Sequence, residues 1–351
     1  MLCGYVLQIF SNEDIFLQQK NSQQSRSMGI LRFRRAKPGD LETCRSLIHP
    51  GLRMKAEVRR ALVDIWQDFI ASETVAFCLV EDLSLPHPRS IETFAAGVFV
   101  SEEFARSFLA KPQPYLSALI YEEILANRSP VLTLPQIGRA NSGRGLYSVT
   151  LHFDFRQRDF SSPRMLPILA ASAESGYFFR MGYRLNAYMG EVHGRQAASY
   201  LRSAGLGVIE FPDQPCAGSA GFGPDDVRPY LVFQCKEDVQ PSLVHRHARF
   251  FYTPPPILGF SLAERRVLER TLLNESDAEI ADDLAISFDA VKKTWRHIFE
   301  RVDRVASHLI PVGEGPPDRR GREKRRHLLH YLQTHLEELR PYSANSSKRD
   351  G

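Results

Sequence analysis

The apolar positions of this chain follow two regimes. From about residue 30 to 236, short apolar runs alternate with stretches of helical spacing, whereas beyond residue 258 only the helical spacing remains. The first regime predicts strands at Ile30–Phe33, Val75–Glu81, Thr93–Val100, Leu146–Phe155, Arg184–Val192, Gly207–Phe211 and Pro229–Lys236, several of them rich in β-branched and aromatic residues. Between them, helical spacing predicts helices at Leu41–Ile48, Ala56–Ala71, Leu116–Ala126 and Arg195–Ser203. Ser162 as a cap, with Pro163 at the first helical position, predicts a further helix running to Met181 and ended by Gly182. The fold class expected is a mixed-sheet α/β domain followed by an all-α domain.

Pro254-Pro255-Pro256 separates the regimes, because three prolines can continue neither a helix nor a central strand. The expected organisation is a poorly ordered extension over 1–28, an α/β domain over 29–250, a proline-rich linker over 251–258, a helical domain over 259–310, and a basic segment with a terminal amphipathic helix over 311–351. Met28 is a candidate alternative start.

The region after the linker carries the clearest signals. Ser261 with Glu264 and Ser276 with Glu279 each form the pattern of a capping box. Asn274 suits a left-handed cap, and Ser287 caps a third helix whose apolar positions are Phe288, Val291, Trp295, Ile298 and Val302. Two short helices, a tight turn and a longer capped helix are the pattern of a helix-turn-helix. On the third helix Lys292, Lys293 and Arg296 lie opposite the apolar stripe, and the segment 288–304 holds five basic and three acidic residues. Such a face suits phosphates and base edges.

Phe260 to Arg304 resembles the LuxR-type helix-turn-helix of bacterial transcription regulators. The matching residues are Glu264, Val267, Leu268, Glu279-Ile280-Ala281, Leu284, Ile286-Ser287, Val291-Lys292 and Ile298; Asn274, Asp289 and Ala290 depart from the pattern. The resemblance implies a recognition helix over Ser287–Ile298, with Ser287, Asp289, Val291, Lys292, Lys293 and Arg296 at double-stranded DNA. Further on, Leu328, Leu329, Leu332, Leu336 and Leu339 predict one apolar face of a terminal helix, a candidate homodimer interface beside the α/β domain. The run Arg319 to Arg326 reads as an auxiliary phosphate contact or a solvated flank.

The order of elements in the first regime resembles the GNAT-type N-acetyltransferase fold, with turns at Ala36–Leu41 and Tyr200–Leu206 and a glycine, Gly97, in the hairpin. Active members hold the donor's pyrophosphate on a glycine-rich loop at a helix N-terminus. The matching loop here, Arg156–Pro163, has no glycine, includes Asp159 and loses an amide at Pro163. Arg156, Arg158 and Arg164 remain candidate anion contacts, with a solvated loop as the alternative. His152, His193, His245 and His247 show no metal-ligand spacing, and no catalytic acid or base can be assigned from the pattern.

Composition adds exclusions. Forty-five basic and forty-one acidic residues give a net charge of only +4, too mild to identify a nucleic-acid partner. Five scattered cysteines, never in a CxxC, support neither a disulfide framework nor a zinc site. No phosphate-binding GxxxxGK[ST] and no run of eighteen apolar residues occur, and no secretory leader is expected. The expectation is therefore a cytoplasmic, non-enzymatic DNA-binding transcription regulator that needs no cofactor and no membrane, acts as a homodimer, and uses its α/β domain for dimerisation or sensing an unknown small-molecule ligand. The alternative is an acyl-CoA-dependent acetyltransferase with an appended DNA-targeting module.

Overall fold

Leu151 is the residue on which the sheet turns. In the computed structural model, which describes residues 30–159, 162–212, 221–241, 248–310 and 317–343 (317–320 in backbone only), Ala96 faces His152 across one strand pair while the next residue, Gly97, faces Thr150. Leu151 is thus an extra residue in its strand, a bulge that bends the strand and sharpens its twist.

The strands are β1 (Leu31–Arg35), β2 (Ala76–Asp82), β3 (Ile91–Val100), β4 (Leu146–Phe155), β5 (Leu185–His193), β6 (Gly207–Glu210) and β7 (Pro229–Cys235). They form one sheet in the order β1-β2-β3-β4-β5-β7-β6. Every pairing is antiparallel except β4 with β5. That parallel ladder runs only from Leu146–Leu185 to Thr150–Gly190. Beyond it β4 stays paired with β3 as far as Phe155, and β5 with β7 as far as His193, so the two strands separate from the bulge onward.

Helices α1 (Leu41–Leu47) and α2 (Ala56–Ser72) cover one face. Three more stand between β3 and β4: α3 (Glu102–Ala110), α4 (Leu116–Leu125) and α5 (Leu134–Ser142). Of these only α4 is expected from the apolar pattern; α3 and α5 are short and half-exposed, with too few periodic positions to stand out, although Ser101 caps α3 and Thr133 with Gln136 forms a capping box on α5. The main core lies between α1, α2, α4 and the sheet around the fully buried Trp66, Phe94, Ile120 and Tyr121.

The other face carries α6 (Met165–Arg180). It starts two residues later than Pro163, with Arg164 at the cap, and Ser162 contributes its carbonyl to Met165 N–H rather than its hydroxyl. Helix α7 (Arg195–Ser203) links β5 to β6, and a short α8 (Ala248–Phe251) precedes the prolines.

Beyond the linker, α9 (Leu262–Leu272), α10 (Asp277–Asp283) and α11 (Phe288–Ala306) form a bundle around Val267, Leu268, Ile280, Val291, Ile298 and Val302. Both capping boxes are formed, Ser287 Oγ accepts from Ala290 N–H, and Asn274 is left-handed at φ 63°. Helix α12 (Pro317–Thr334) then stops, and Leu336–Leu339 form a separate 3-10 turn. Leu328, Leu332, Leu336 and Leu339 are all buried in the same bundle core, with Leu329 packed against it. The leucine stripe is therefore spent on its own chain, not left as a surface for a second copy.

The bundle docks on the β1 edge of the sheet. Glu269 is buried between Arg35, whose Nε donates at 2.6 Å, and Arg340, and the two guanidinium groups hold its carboxyl below the usual range against the cost of burial. Arg266 and Arg270 both reach Glu73. The expected extension 1–28, the loop with Gly313 and Gly315, and His245 and His247 lie outside the described residues. Among those described, no helix is long and apolar enough to cross a membrane.

Candidate functional site

The separation of β4 from β5 opens a cleft whose α1–α2 face is lined by alternate residues of the two strands. On β4 these are His152 and Asp154; on β5 they are Glu191 and His193, a period-two placement that puts all four on one face. The segment after α1 completes the set with His49.

His152 is fully buried and spoken for. Its Nε2 lies 2.8 Å from Tyr121 Oη, which also accepts from Trp66 Nε1 at 2.9 Å, and its Nδ1 lies 3.2 Å from Asp154. It packs edge-on to Trp66, so it is a core residue, as the strand pattern suggested. The other carboxylate oxygen of Asp154 accepts from His49 N–H at 2.8 Å, which ties the α1–α2 loop to β4.

The His49 ring stacks on His193, with centroids 4.8 Å apart and planes 12° from parallel. Its Nδ1 accepts from Gly51 N–H at 3.0 Å. Burial, the neighbouring His193 and the Arg158 guanidinium push His49 down to about 3, so it stays a neutral imidazole at ordinary pH. Gly51 is required by this packing: a Cβ there would lie 2.6 Å from the His193 ring and 2.7 Å from the Val227 carbonyl.

Glu191 and His193 form the closest pair of titratable groups on β5. Glu191 Oε1 and His193 Nε2 stand 3.3 Å apart with side chains 3% and 8% exposed respectively, close enough for an ion pair. Their angles do not make a hydrogen bond, and among the described residues neither atom has another hydrogen-bond partner. The second oxygen, Oε2, accepts from Tyr115 N–H and from Leu116 N–H at 3.3 Å. From the same turn Ser117 Oγ donates to the Leu151 carbonyl at 2.6 Å. The first turn of α4 thus bridges the two strands at the apex of the cleft and fixes the Glu191 carboxylate. On the opposite, α6 face, Phe153 remains 41% exposed against Phe155, an apolar wall.

The loop after β4 does not form the anion cradle considered from sequence. Arg156 donates to the Ile91 and Pro88 carbonyls, and Arg158 to those of Leu47 and Ile48. Arg164 pairs with Asp82 and Glu92, whose carboxylates raise its already high pKa. All three serve to fasten the loop. Pro163 and Pro167 remove two amides at the start of α6. These residues do not fit the pyrophosphate of a nucleotide-bearing donor.

On α11, Lys292, Lys293 and Arg296 are exposed, as is Asp289, whose carboxylate lies 4.0 Å from Lys292. The Lys292 ammonium sits over the Phe288 ring. Ser287 is engaged as the helix cap. Val291 is a correction: it is fully buried, part of the apolar stripe rather than of any outward face.

Sequence reasoning missed His49, Glu191 and the reactive side of His193. The signal was present as His-x-Asp on one strand and Glu-x-His on the next, which at a spacing of two share a face once those strands become neighbours. Among the described residues no group of three or more His, Cys, Asp or Glu is placed to hold a metal ion.

No protein-family model matches the sequence, and no curated protein sequence matches it. Solved structures do. Mutant forms of the spermidine/spermine N-acetyltransferase SpeG from Vibrio cholerae match over 59% of this chain and 94% of theirs, at 10% identity and a TM-score of 0.31. NAA60 of Arabidopsis thaliana in complex with acetyl-CoA matches over 59% and 99%, at 12% and 0.34. A polyamine N-acetyltransferase of Drosophila melanogaster matches over 59% and 100%, at 10% and 0.30. The likeness falls on the N-terminal region, and none of these matches bears on the LuxR-type resemblance. Two of these chains are described as N-acetyltransferases and the third as a complex with acetyl-CoA, which runs against the expectation of a non-enzymatic chain.

Proposed function

We propose that the α/β domain transfers an acyl group from a thioester to an amine and that the helical domain targets it to DNA. One observation carries the first half: Glu191 Oε1 and His193 Nε2, buried, adjacent and, among the described residues, each without a hydrogen-bond partner, at the opening between β4 and β5. An acceptor ammonium placed there donates to Glu191 Oε1 and to His193 Nε2. His193 takes one proton of the ammonium, the free amine attacks the thioester carbon, Glu191 takes the second nitrogen proton from the adduct and passes it to solvent, and the C–S bond breaks as the imidazolium returns its proton to the departing thiolate, so that a C–N bond replaces the C–S bond. The two amides of the α4 turn hold the Glu191 carboxylate in place throughout. Because the loop before α6 does not fit a pyrophosphate, the reading takes the donor as an acyl thioester recognised by its arm, not by a nucleotide.

The second half rests on the capped bundle α9–α11 and the exposed Lys292, Lys293 and Arg296, in the arrangement of a LuxR-type helix-turn-helix. A second reading, a transcription regulator whose α/β domain senses a ligand, is favoured by one observation: all three arginines of the donor loop are already engaged. Thiol release from acetyl-, succinyl- and longer acyl thioesters in the presence of diamines, polyamines and peptide amines separates them. Amine-dependent release abolished in Glu191→Gln and His193→Ala, with both variants folded, is expected; no release from any pair turns the cleft into a binding site only.

A further inference from the structure

Among the described residues, two guanidinium groups at the junction of the domains form no ion pair, although Glu269 lies near enough to Arg265 to favour its charge. Arg180, at the end of α6, donates to the Gly176 carbonyl and to Thr150 Oγ1, lies over the Tyr188 ring, and leaves its Nε buried and unbonded. Arg265, on α9, makes no hydrogen bond or ion pair among the described residues, and its Nε is buried as well. Burial is the largest influence on Arg265 and acts to lower its pKa, with Arg340 and Arg266 adding in the same direction. A buried charge without a partner is costly to keep.

Arg180 lines one cavity and Arg265 another, and the two cavities share Arg35, Glu73, Leu134 and Tyr183 in their walls. Together these walls hold six arginines and only two carboxylates. Both carboxylates are already committed, Glu269 to Arg35 and Arg340, and Glu73 to Arg266 and Arg270. Arg270 is paired with Asp283 as well, at 2.7 Å, so Arg180 and Arg265 are the guanidinium groups of these walls that form no ion pair among the described residues.

We infer that this junction binds a small oxyanion, the carboxylate or phosphate end of a metabolite, between Arg180 of the α/β domain and Arg265 of the helical domain. The guanidinium fork matches the planar oxygens of such a group and gains strength in a dry site. A ligand held this way bridges the halves, so its occupancy tightens their docking. The inference is independent of acyl transfer in the cleft.

Calorimetric titration and thermal unfolding of the full chain test it, with succinate in one arm and inorganic phosphate in another, each against sodium chloride of equal ionic strength. Saturable binding with a Tm rise of several degrees is expected in one arm or both, and the arm that responds names the ligand class. Arg180→Met and Arg265→Gln should each weaken binding at least tenfold; should Arg180→Met fail to fold, Arg265→Gln decides. No shift beyond the chloride control in either arm, or unchanged affinity in a folded variant, overturns the site.

Discussion

The His49 ring lies flat on the His193 ring, 4.8 Å between centroids, with Gly51 beneath the edge they share. This contact joins the α1–α2 loop to β5 across the mouth of the cleft and sets the position of the imidazole to which we assign proton transfer.

Gly51→Ala should therefore disturb the cleft before anything else. Its Cβ would meet the His193 ring, the Val227 carbonyl and the His49 ring, all under 3 Å. Overpacking of this kind costs about 1–3 kcal/mol. Denaturant unfolding should show that loss, while Gly39→Ala, whose Cβ has no atom within 4 Å, should leave stability nearly unchanged.

Acid should destabilise the protein through His49. In the folded state it resists protonation down to about 3, whereas in the unfolded chain it protonates near its ordinary value of 6.5. The unfolded state thus binds the extra proton as pH falls below 6.5, and stability drops by up to about 1.4 kcal/mol per pH unit from this group alone. Between pH 6.5 and 5, above most carboxylate titration, His49→Gln should flatten the slope of unfolding free energy against pH. An unchanged slope in that variant would show that another group is responsible.

At the docked interface, Glu269→Gln should cost more than a surface charge would. It leaves Arg35 and Arg340 without their buried carboxylate, and breaking one side of such a pair costs about 3–5 kcal/mol. Arg45→Gln, which removes an exposed pair with Glu42, should cost under about 1 kcal/mol. Thermal unfolding of both variants checks the contrast.

On α11, Trp295→Ala should fail differently from Lys293→Ala. Trp295 is buried, its Nε1 contacts Asp277 and Arg325 stacks 4.2 Å from its ring centre, so truncation should unfold the bundle at a cost of about 3–5 kcal/mol. Lys293→Ala and Arg296→Ala should stay folded by circular dichroism and reduce the salt dependence of DNA binding by about one unit each. Folded variants that bind all DNA as wild type does would remove the DNA-targeting half of the proposal.

How much of this could be read from the chain varied with the range of the interactions involved. All seven strands lie where alternation and β-branched residues place them, and the bundle caps at Ser261, Ser276 and Ser287 are local features that sequence spacing carries by itself. The cleft was not legible, because Glu191 and His193 meet Asp154 and His49 only through a parallel pairing and a bulge at Leu151, neither of which leaves a local trace. The leucines of the last helix were legible as an apolar face but not as to what covers it. Arg156, Arg158 and Arg164 looked free because their partners, from the Leu47 carbonyl to Glu92, are more than sixty residues away in sequence.

The chain's last described residues return to the α/β domain. The Leu336–Glu337 backbone crosses so close to Gly182, itself at φ 85°, that a Cβ there would fall 2.4 Å from it. Arg340 donates to the Met181 and Phe178 carbonyls, Asn141 Nδ2 donates to the Pro341 carbonyl, and Ser343 N–H to that of Gly138. At the other end Glu338 accepts from Ile257 N–H and Leu258 N–H, just past the prolines. The linker and the returning strap are thus laced together through Glu338 beside the docked face held by Glu269, so the chain closes on itself like a belt buckled at one point, and a protease cut after Thr334 should weaken the docking that the intact chain keeps.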